Sequence, residues 1–211
     1  MLTTKTVSSF LDELASASPA PGGGSVAALA GSLGASLAAM VCRLTIGKKK
    51  YLEVEQEMKA VLQQMEEHRK YFTLLIDRDT DAFNKVMEAY GLPKDTQDQQ
   101  ALRAAAIQEA TKEAALVPLE VMKRSIDTLA LVKTVAERGN MNSVSDAGVS
   151  AIMLQSACEG ASLNVLINLK SITDMEFVGW RTEEIKSLSR TSRSQAEDIL
   201  ATVRRKIEHR Q

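Results

Sequence analysis

The chain has 211 residues, of which 45% are hydrophobic and 25% charged, with a formal net charge of −1. That is enough for one domain over 1–211 with a sizeable core, and the balanced charge gives no general attraction to nucleic acid or acidic membranes, so neither is expected as a partner. Aromatics are scarce at 4%, which favours closely packed helices.

Ser8 or Ser9 is placed to cap a short first helix through Leu14, and Pro19 ends it. Asp12 and Glu13 fall where a signal peptide needs its apolar stretch, so secretion is not expected. The run Ser18-Pro19-Ala20-Pro21-Gly22-Gly23-Gly24-Ser25 then interrupts the helical pattern. Proline stops a helix and glycine permits backbone shapes closed to other residues. Ser25 is placed to cap a second helix to about Ile46. A glycine loop feeding a helix start presents free N–H groups to an anion or a developing negative charge. Gly22, Gly23, Gly24 and Ser25 are therefore candidate binding residues.

Within the second helix Ala27, Gly31, Ala35 and Ala39 recur every four residues. Such a stripe admits a second helix at close range, inside the fold or across a dimer. Val26 to Cys42 carries no charge and approaches bilayer length, but its Ala, Gly and Ser gain little in lipid; it reads as a helix buried in protein. Cys42 and Cys158 are far apart and form no CxxC, as expected of reduced, buried thiols in the cytoplasm. Gly47 and Lys48-Lys49-Lys50 end the helix, where cations complement its dipole.

A long third helix is predicted from about Glu53 to Tyr90. Its core stripe includes Met58, Met65, Phe72, Leu75 and Val86, and two polar residues, His68 and Asp79, fall on the same lines. A carboxylate there is costly unless paired, hydrogen-bonded or protonated. Burial raises a carboxyl pKa, which equips a general acid to work near neutral pH. Asp79 is thus a candidate acid/base or a structurally paired Asp, and His68 a bonded interior histidine or one at a subunit seam. Asp77 and Asp81 lie on other faces of this helix.

The fourth helix is expected from about Thr96 to Arg138, kinked or split at Pro118, with Gly139-Asn140 as a left-handed C-cap. Ser145 is placed to cap a fifth helix to about Lys170. On it Asn164 and Asn168, four apart, share one face inside an apolar run; they either read a heterocycle or tie helices together. Thr173 with Glu176 reads as a capping box for a short element, and a final amphipathic helix spans about Glu183 to Glu208. The fold class is all-α, a bundle of about five to seven helices. Gly22-x-Gly24-x-x-Ala27 matches a dinucleotide fingerprint only formally, since no strand precedes it. With two histidines and no HExxH, no metal is expected.

Several segments together resemble the formiminotetrahydrofolate cyclodeaminase/methenyltetrahydrofolate cyclohydrolase family. They are Pro21-Gly22-Gly23-Gly24-Ser25-Val26-Ala27-Ala28, Gly47-Lys48-Lys49, Asp77-x-Asp79-x-x-Ala82-Phe83, Leu92-Pro93-Lys94 and Val117-Pro118-Leu119, followed by Gly139-Asn140, Ser145-Asp146, Asn164-Val165-Leu166-Ile167-Asn168-Leu169 and Ile172-Thr173-Asp174. The resemblance implies an all-helical domain that forms at least a dimer and acts on one-carbon units of tetrahydrofolate, with the folate as substrate, its tail of one or several glutamates left open, and no cofactor. It makes Asp79 the proton donor of cyclodeamination and adds Asp77 as a second catalytic candidate. Lys48 and Lys49 become candidates for the folate carboxylates, with a solvated helix end as their other reading. Asn140 and Asp146 join Asn164 and Asn168 as binding candidates. In bifunctional relatives a formiminotransferase domain precedes this one. The implied activity is cyclodeamination of 5-formiminotetrahydrofolate, with 5,10-methenyltetrahydrofolate hydrolysis as the alternative. A folate-binding bundle without catalysis is a more remote one, against which the retained Asp79, glycine loop and asparagines argue.

Overall fold

The buried stripe read from the third helix organises the molecule. Met58, Met65, Phe72 and Leu75 are wholly inaccessible in the computed structural model, which describes residues 1–209. They lie on α3 (Glu55–Tyr90), which follows α1 (Val7–Leu14) and α2 (Gly23–Thr45). After it come α4 (Gln97–Arg138), α5 (Val144–Leu169) and α6 (Met175–Glu208). No strand occurs among the described residues. α2 packs against α3 and α5, α4 packs against the same two, and α6 lies over α4 and α5. The result is the expected all-α bundle.

α2 can sit this deep because its residues are small. Ala28, Ala35, Ala38 and Cys42 are completely buried. A Cβ on Gly31 would lie 2.5 Å from the Phe72 ring, and one on Gly34 would lie 2.7 Å from Leu154. Ser150 on α5 donates to the Gly34 carbonyl at 2.7 Å. The stripe Ala27/Gly31/Ala35/Ala39 is therefore used up inside the bundle, and the reading that placed it across a dimer does not hold. Among the described residues α2 is the one helix long and apolar enough to cross a membrane, and over half of that window is covered by protein.

Several predicted caps differ from those observed, because a hydroxyl caps only where its oxygen faces the free N–H groups. Thr6, not Ser8 or Ser9, caps α1 by accepting from the Ser9 N–H at 3.1 Å. α2 opens at Gly23 with Gly22 as its cap residue, and Ser25 falls inside the first turn. Ser143, not Ser145, precedes α5. Asp174 caps α6 by accepting from the Phe177 N–H at 3.0 Å, while Thr173 donates to Gln108 instead. The short element and the final helix are one 34-residue helix. Gly139 is extended rather than left-handed; its missing side chain makes room for the Val135 carbonyl, which a Cβ would approach to 2.5 Å. α4 is not split at Pro118.

His68 is an interior residue. Its Nδ1 lies 2.9 Å from the Thr128 hydroxyl, whose own proton goes to the Arg124 carbonyl, so Nδ1 is the donor. Burial holds the imidazole pKa below its ordinary value.

Gly31→Ala is expected to destabilise the protein by about 1–3 kcal/mol through overpacking against Phe72, measured by urea unfolding. An unchanged midpoint would mean that Phe72 moves aside at no cost.

Candidate active site

A cleft of about 340 Å³ opens where the start of α2 meets the middle of α3 and the last turns of α5. Gly22, Gly23, Gly24, Asp79, Asn164 and Asn168 all line it, so one place gathers half of the twelve candidate site residues singled out from sequence. Thr80 adds to the polar edge, and Phe83, Val86, Ala114 and Ile167, with Pro19 and Ala20 before the glycines, form the apolar walls. Of that group Val86 is on the core stripe read from sequence, and Phe83, one helical turn beyond Asp79, and Ile167 are in the segments that carry the family resemblance. Asp79 is the single ionisable residue in the lining.

Two of the three glycines, Gly23 and Gly24, serve side chains of the protein itself. A Cβ on Gly24 would stand 2.1 Å from Asp79 Oδ1, so only glycine lets the carboxyl reach the first turn of α2. A Cβ on Gly23 would stand 3.2 Å from Asn164 Nδ2. The negative group expected from a ligand at this helix start is thus supplied by Asp79. Ser25 Oγ, with no exposed surface, lies 2.9 Å from Asp79 Oδ2 and 3.0 Å from the Ile76 carbonyl oxygen. Ser25 is consequently a partner of the carboxyl, not a helix cap and not part of the cleft lining. Burial pushes the Asp79 pKa up from the usual aspartate value, and the Ser25 hydroxyl and backbone amide pull against that rise without cancelling it.

Both asparagines are oriented by backbone. Asn164 Nδ2 donates to the Gly160 carbonyl at 2.8 Å. Asn168 Nδ2 donates to the Ala114 carbonyl at 3.2 Å. Ala114 is four residues before Pro118, so its carbonyl lacks the N–H that an ordinary helix supplies, and Asn168 fills that vacancy across the α4–α5 contact. Since a carbonyl can accept only from the NH₂ end of an amide, each Oδ1 is left as an acceptor. Asn168 therefore ties two helices and lines the cleft at once; the two readings of it were not exclusive.

The remaining candidates lie elsewhere. Asp77 accepts from the Leu2 N–H at 2.5 Å and from the Thr3 hydroxyl at 2.9 Å, fastening the N-terminal segment to α3. Lys48, Asn140 and Asp146 line a second cleft, of about 760 Å³, beyond the other end of α2, and exposed Lys49 is outside its lining. The 23 residues of α2 rise about 34 Å, too far for these groups to act on a ligand at Asp79 in the same chain without a long extension. Asn140 has structural work there: it donates to the Leu44 carbonyl at 2.7 Å and accepts from the Asn142 N–H at 3.0 Å.

The formiminotransferase-cyclodeaminase family model matches residues 6–187. The chain belongs to this family. A methenyltetrahydrofolate cyclohydrolase of Methylorubrum extorquens is 45% identical over 98% of this chain and 100% of its own length. The mouse formimidoyltransferase-cyclodeaminase is 36% identical over 92% of this chain, which spans only 36% of that longer relative. A solved formiminotetrahydrofolate cyclodeaminase from Thermotoga maritima superposes with a TM-score of 0.81 at 33% identity, over 99% of this chain and 98% of that one. The cyclodeaminase-family bundle accordingly extends along the described chain.

The Pro118–Asn168 arrangement has a measurable signature. Asn168→Ala is expected to cost about 1–3 kcal/mol by leaving the Ala114 carbonyl unpaired. In a Pro118→Ala background, where residue 118 regains an N–H, the loss is expected to shrink. A double-mutant cycle by urea unfolding tests the coupling, and equal losses in both backgrounds would refute it.

Proposed function

We propose that this chain is a folate one-carbon enzyme that hydrolyses 5,10-methenyltetrahydrofolate to 10-formyltetrahydrofolate in the Asp79 cleft. The observation that carries this reading is a lone, half-buried carboxyl with a raised pKa at the end of a cleft otherwise free of charge. The end-to-end match with a relative named for that reaction supports it. Cyclodeamination of 5-formiminotetrahydrofolate is the second reading, supported by the solved relative of that name.

One carboxyl can serve both reactions. In hydrolysis, water attacks the carbon bridging N5 and N10 while Asp79 carboxylate takes a proton from it. The tetrahedral adduct then loses its hydroxyl proton to solvent as the carbon–N5 bond breaks, and Asp79 returns its proton to N5. One proton is released overall and no cofactor is required. In cyclodeamination, N10 attacks the carbon of the protonated formimino group, whose nitrogen becomes an amino group; Asp79 takes the N10 proton and passes it to that amino group, so that ammonia leaves and the methenyl cation retains the positive charge. Phe83, Val86 and Ile167 offer apolar walls to a flat ring, and the Asn164 and Asn168 oxygens can accept from its N–H groups. We place this chemistry in the cytoplasm, consistent with two free, buried cysteines whose thiol pKa values burial pushes up to about 12 (Cys42) and about 11 (Cys158).

The working unit we propose is a dimer formed through the outer face of α2. Val26, Leu33 and Met40, spaced by seven, are exposed there without a charge among them, and Leu33 stands near the middle of the helix. A two-fold axis at Leu33 would run the two α2 helices antiparallel. It would bring the partner's Lys48 toward the Asp79 end of this chain, where a folate carboxylate would extend. Leu33→Glu is expected to yield monomers by light scattering; an active parent protein that is monomeric at assay concentration would overturn the dimer.

Supplying 5,10-methenyl- and 5-formiminotetrahydrofolate separately and following methenyl absorbance distinguishes the reactions: accelerated loss marks hydrolysis and appearance marks deamination. Asp79→Asn is expected to lower turnover by roughly two to four orders of magnitude. The same variant is expected to be more stable than the parent at neutral pH. Because folding raises the Asp79 pKa, the stability due to its bound proton is full below the ordinary aspartate value and lost as pH rises through the raised one. Thermal unfolding across pH 3–8 checks the sign, and near-normal turnover in the folded variant would remove Asp79 from the mechanism.

A further inference from the structure

Ser25 is a hydroxyl with more acceptors than protons. It has no exposed surface, so water cannot make up the difference. Its Oγ is 3.0 Å from the Ile76 carbonyl oxygen, 2.9 Å from Asp79 Oδ2 and 3.4 Å from Thr80 Oγ1. A hydroxyl donates once and accepts through its lone pairs. With Asp79 ionised, the Ser25 proton is drawn to Oδ2. With Asp79 protonated, the carboxyl O–H can donate to Oγ, and the Ser25 proton turns to the Ile76 carbonyl. Both protonation states are hydrogen-bonded with the heavy atoms where they stand.

We propose that Ser25 is the positioning residue of the Asp79 proton: a rotating hydroxyl, seated between Asp79 Oδ2 and the Ile76 carbonyl, that keeps the carboxyl bonded in both states and sets the pH at which it changes state. The inference rests on the reading of Asp79 as the acid/base, and it assigns Ser25 to the carboxyl rather than to the substrate.

The surroundings leave this role to Ser25. The lining that shares the cleft with Asp79 has no other ionisable side chain from α2, α4 or α5. On α3 itself, Arg78 is paired with Glu120, Asp77 is bound by Leu2 and Thr3, and Asp81 is exposed. On α4, Lys112 pairs with Asp174 and Glu113 with Lys85. Burial raises the Asp79 pKa and the Ser25 hydrogen bonds are the opposing influence, with no nearby charge contributing. Removing the hydroxyl therefore withdraws a bond from the charged form and shifts the titration upward.

Two readouts test the proposal. The first is direct titration of the Asp79 carboxyl by carbon NMR, assigned through Asp79→Asn, in the parent and in Ser25→Ala. It needs neither substrate nor activity, so it stands even where the folate reading fails. The midpoint is expected to move to higher pH in Ser25→Ala. The second is the pH profile of kcat for methenyl hydrolysis, in which the acidic limb, set by ionisation of Asp79, is expected to shift the same way, with KM changed less than twofold and kcat partly restored at higher pH. Ser25→Cys, a weaker donor of similar shape, is expected to fall between the two, and it replaces Ser25→Ala should that variant not fold. An unshifted Asp79 titration in the folded variants, or a rise in KM with kcat and its pH profile unchanged, would overturn the proposal. The second of these outcomes would make Ser25 a substrate contact. Loss of the profile in Asp79→Asn with no change in rate would instead fail the acid/base reading while leaving the titration result standing.

Discussion

A carboxyl pressed against the first turn of a helix is the constraint on which the rest of this structure depends. Asp79 reaches that turn because residue 24 has no side chain, and it is held there by Ser25, the next residue along α2. The contact fixes α2 against α3 at one end, as the Gly31–Phe72 contact does further along. Small residues thus have a single purpose over most of α2. They bring its backbone close enough for a neighbouring helix to present a functional group where peptide N–H groups are free.

The same economy appears on α5. Asn164 and Asn168 are held by backbone carbonyls of α5 and α4, one in an ordinary turn and one left unpaired by proline. Each amide is fixed by its nitrogen, so its oxygen is available with a defined direction. A cleft built this way has rigid polar groups on helices rather than on loops, which suits a reaction that must bring two nitrogens and one carbon into line.

Much of this was legible in the sequence. Periodicity located α3 and α4 within two residues at each end, and Asp79 stood out as a carboxylate on a stripe of Phe, Leu and Val. The misreadings share one cause. Ser25, Ser145 and Thr173 have the composition of caps, but capping depends on where an oxygen points, and each of these turns up where another partner or solvent competes for it. Asp77 and Asp79 differ by two positions and face different surroundings, because two residues on a helix are about 200° apart. Lys48 and Asp79 belong to motifs of one family, yet the length of α2 separates them within a single chain, a distance no motif records.

The carbonyl of Ala114 also constrains history. A proline at position 118 without an amide at 168 leaves a buried acceptor empty, whereas the amide without the proline leaves nothing unpaired in α4. Mutational paths through these two positions are therefore asymmetric. The asparagine can arrive first at little penalty and the proline second, and once both are present the asparagine cannot be lost alone as cheaply, whereas the proline can. Pro118, which reads from sequence as a fault in a helix, acts as a ratchet on a residue of the cleft fifty positions later.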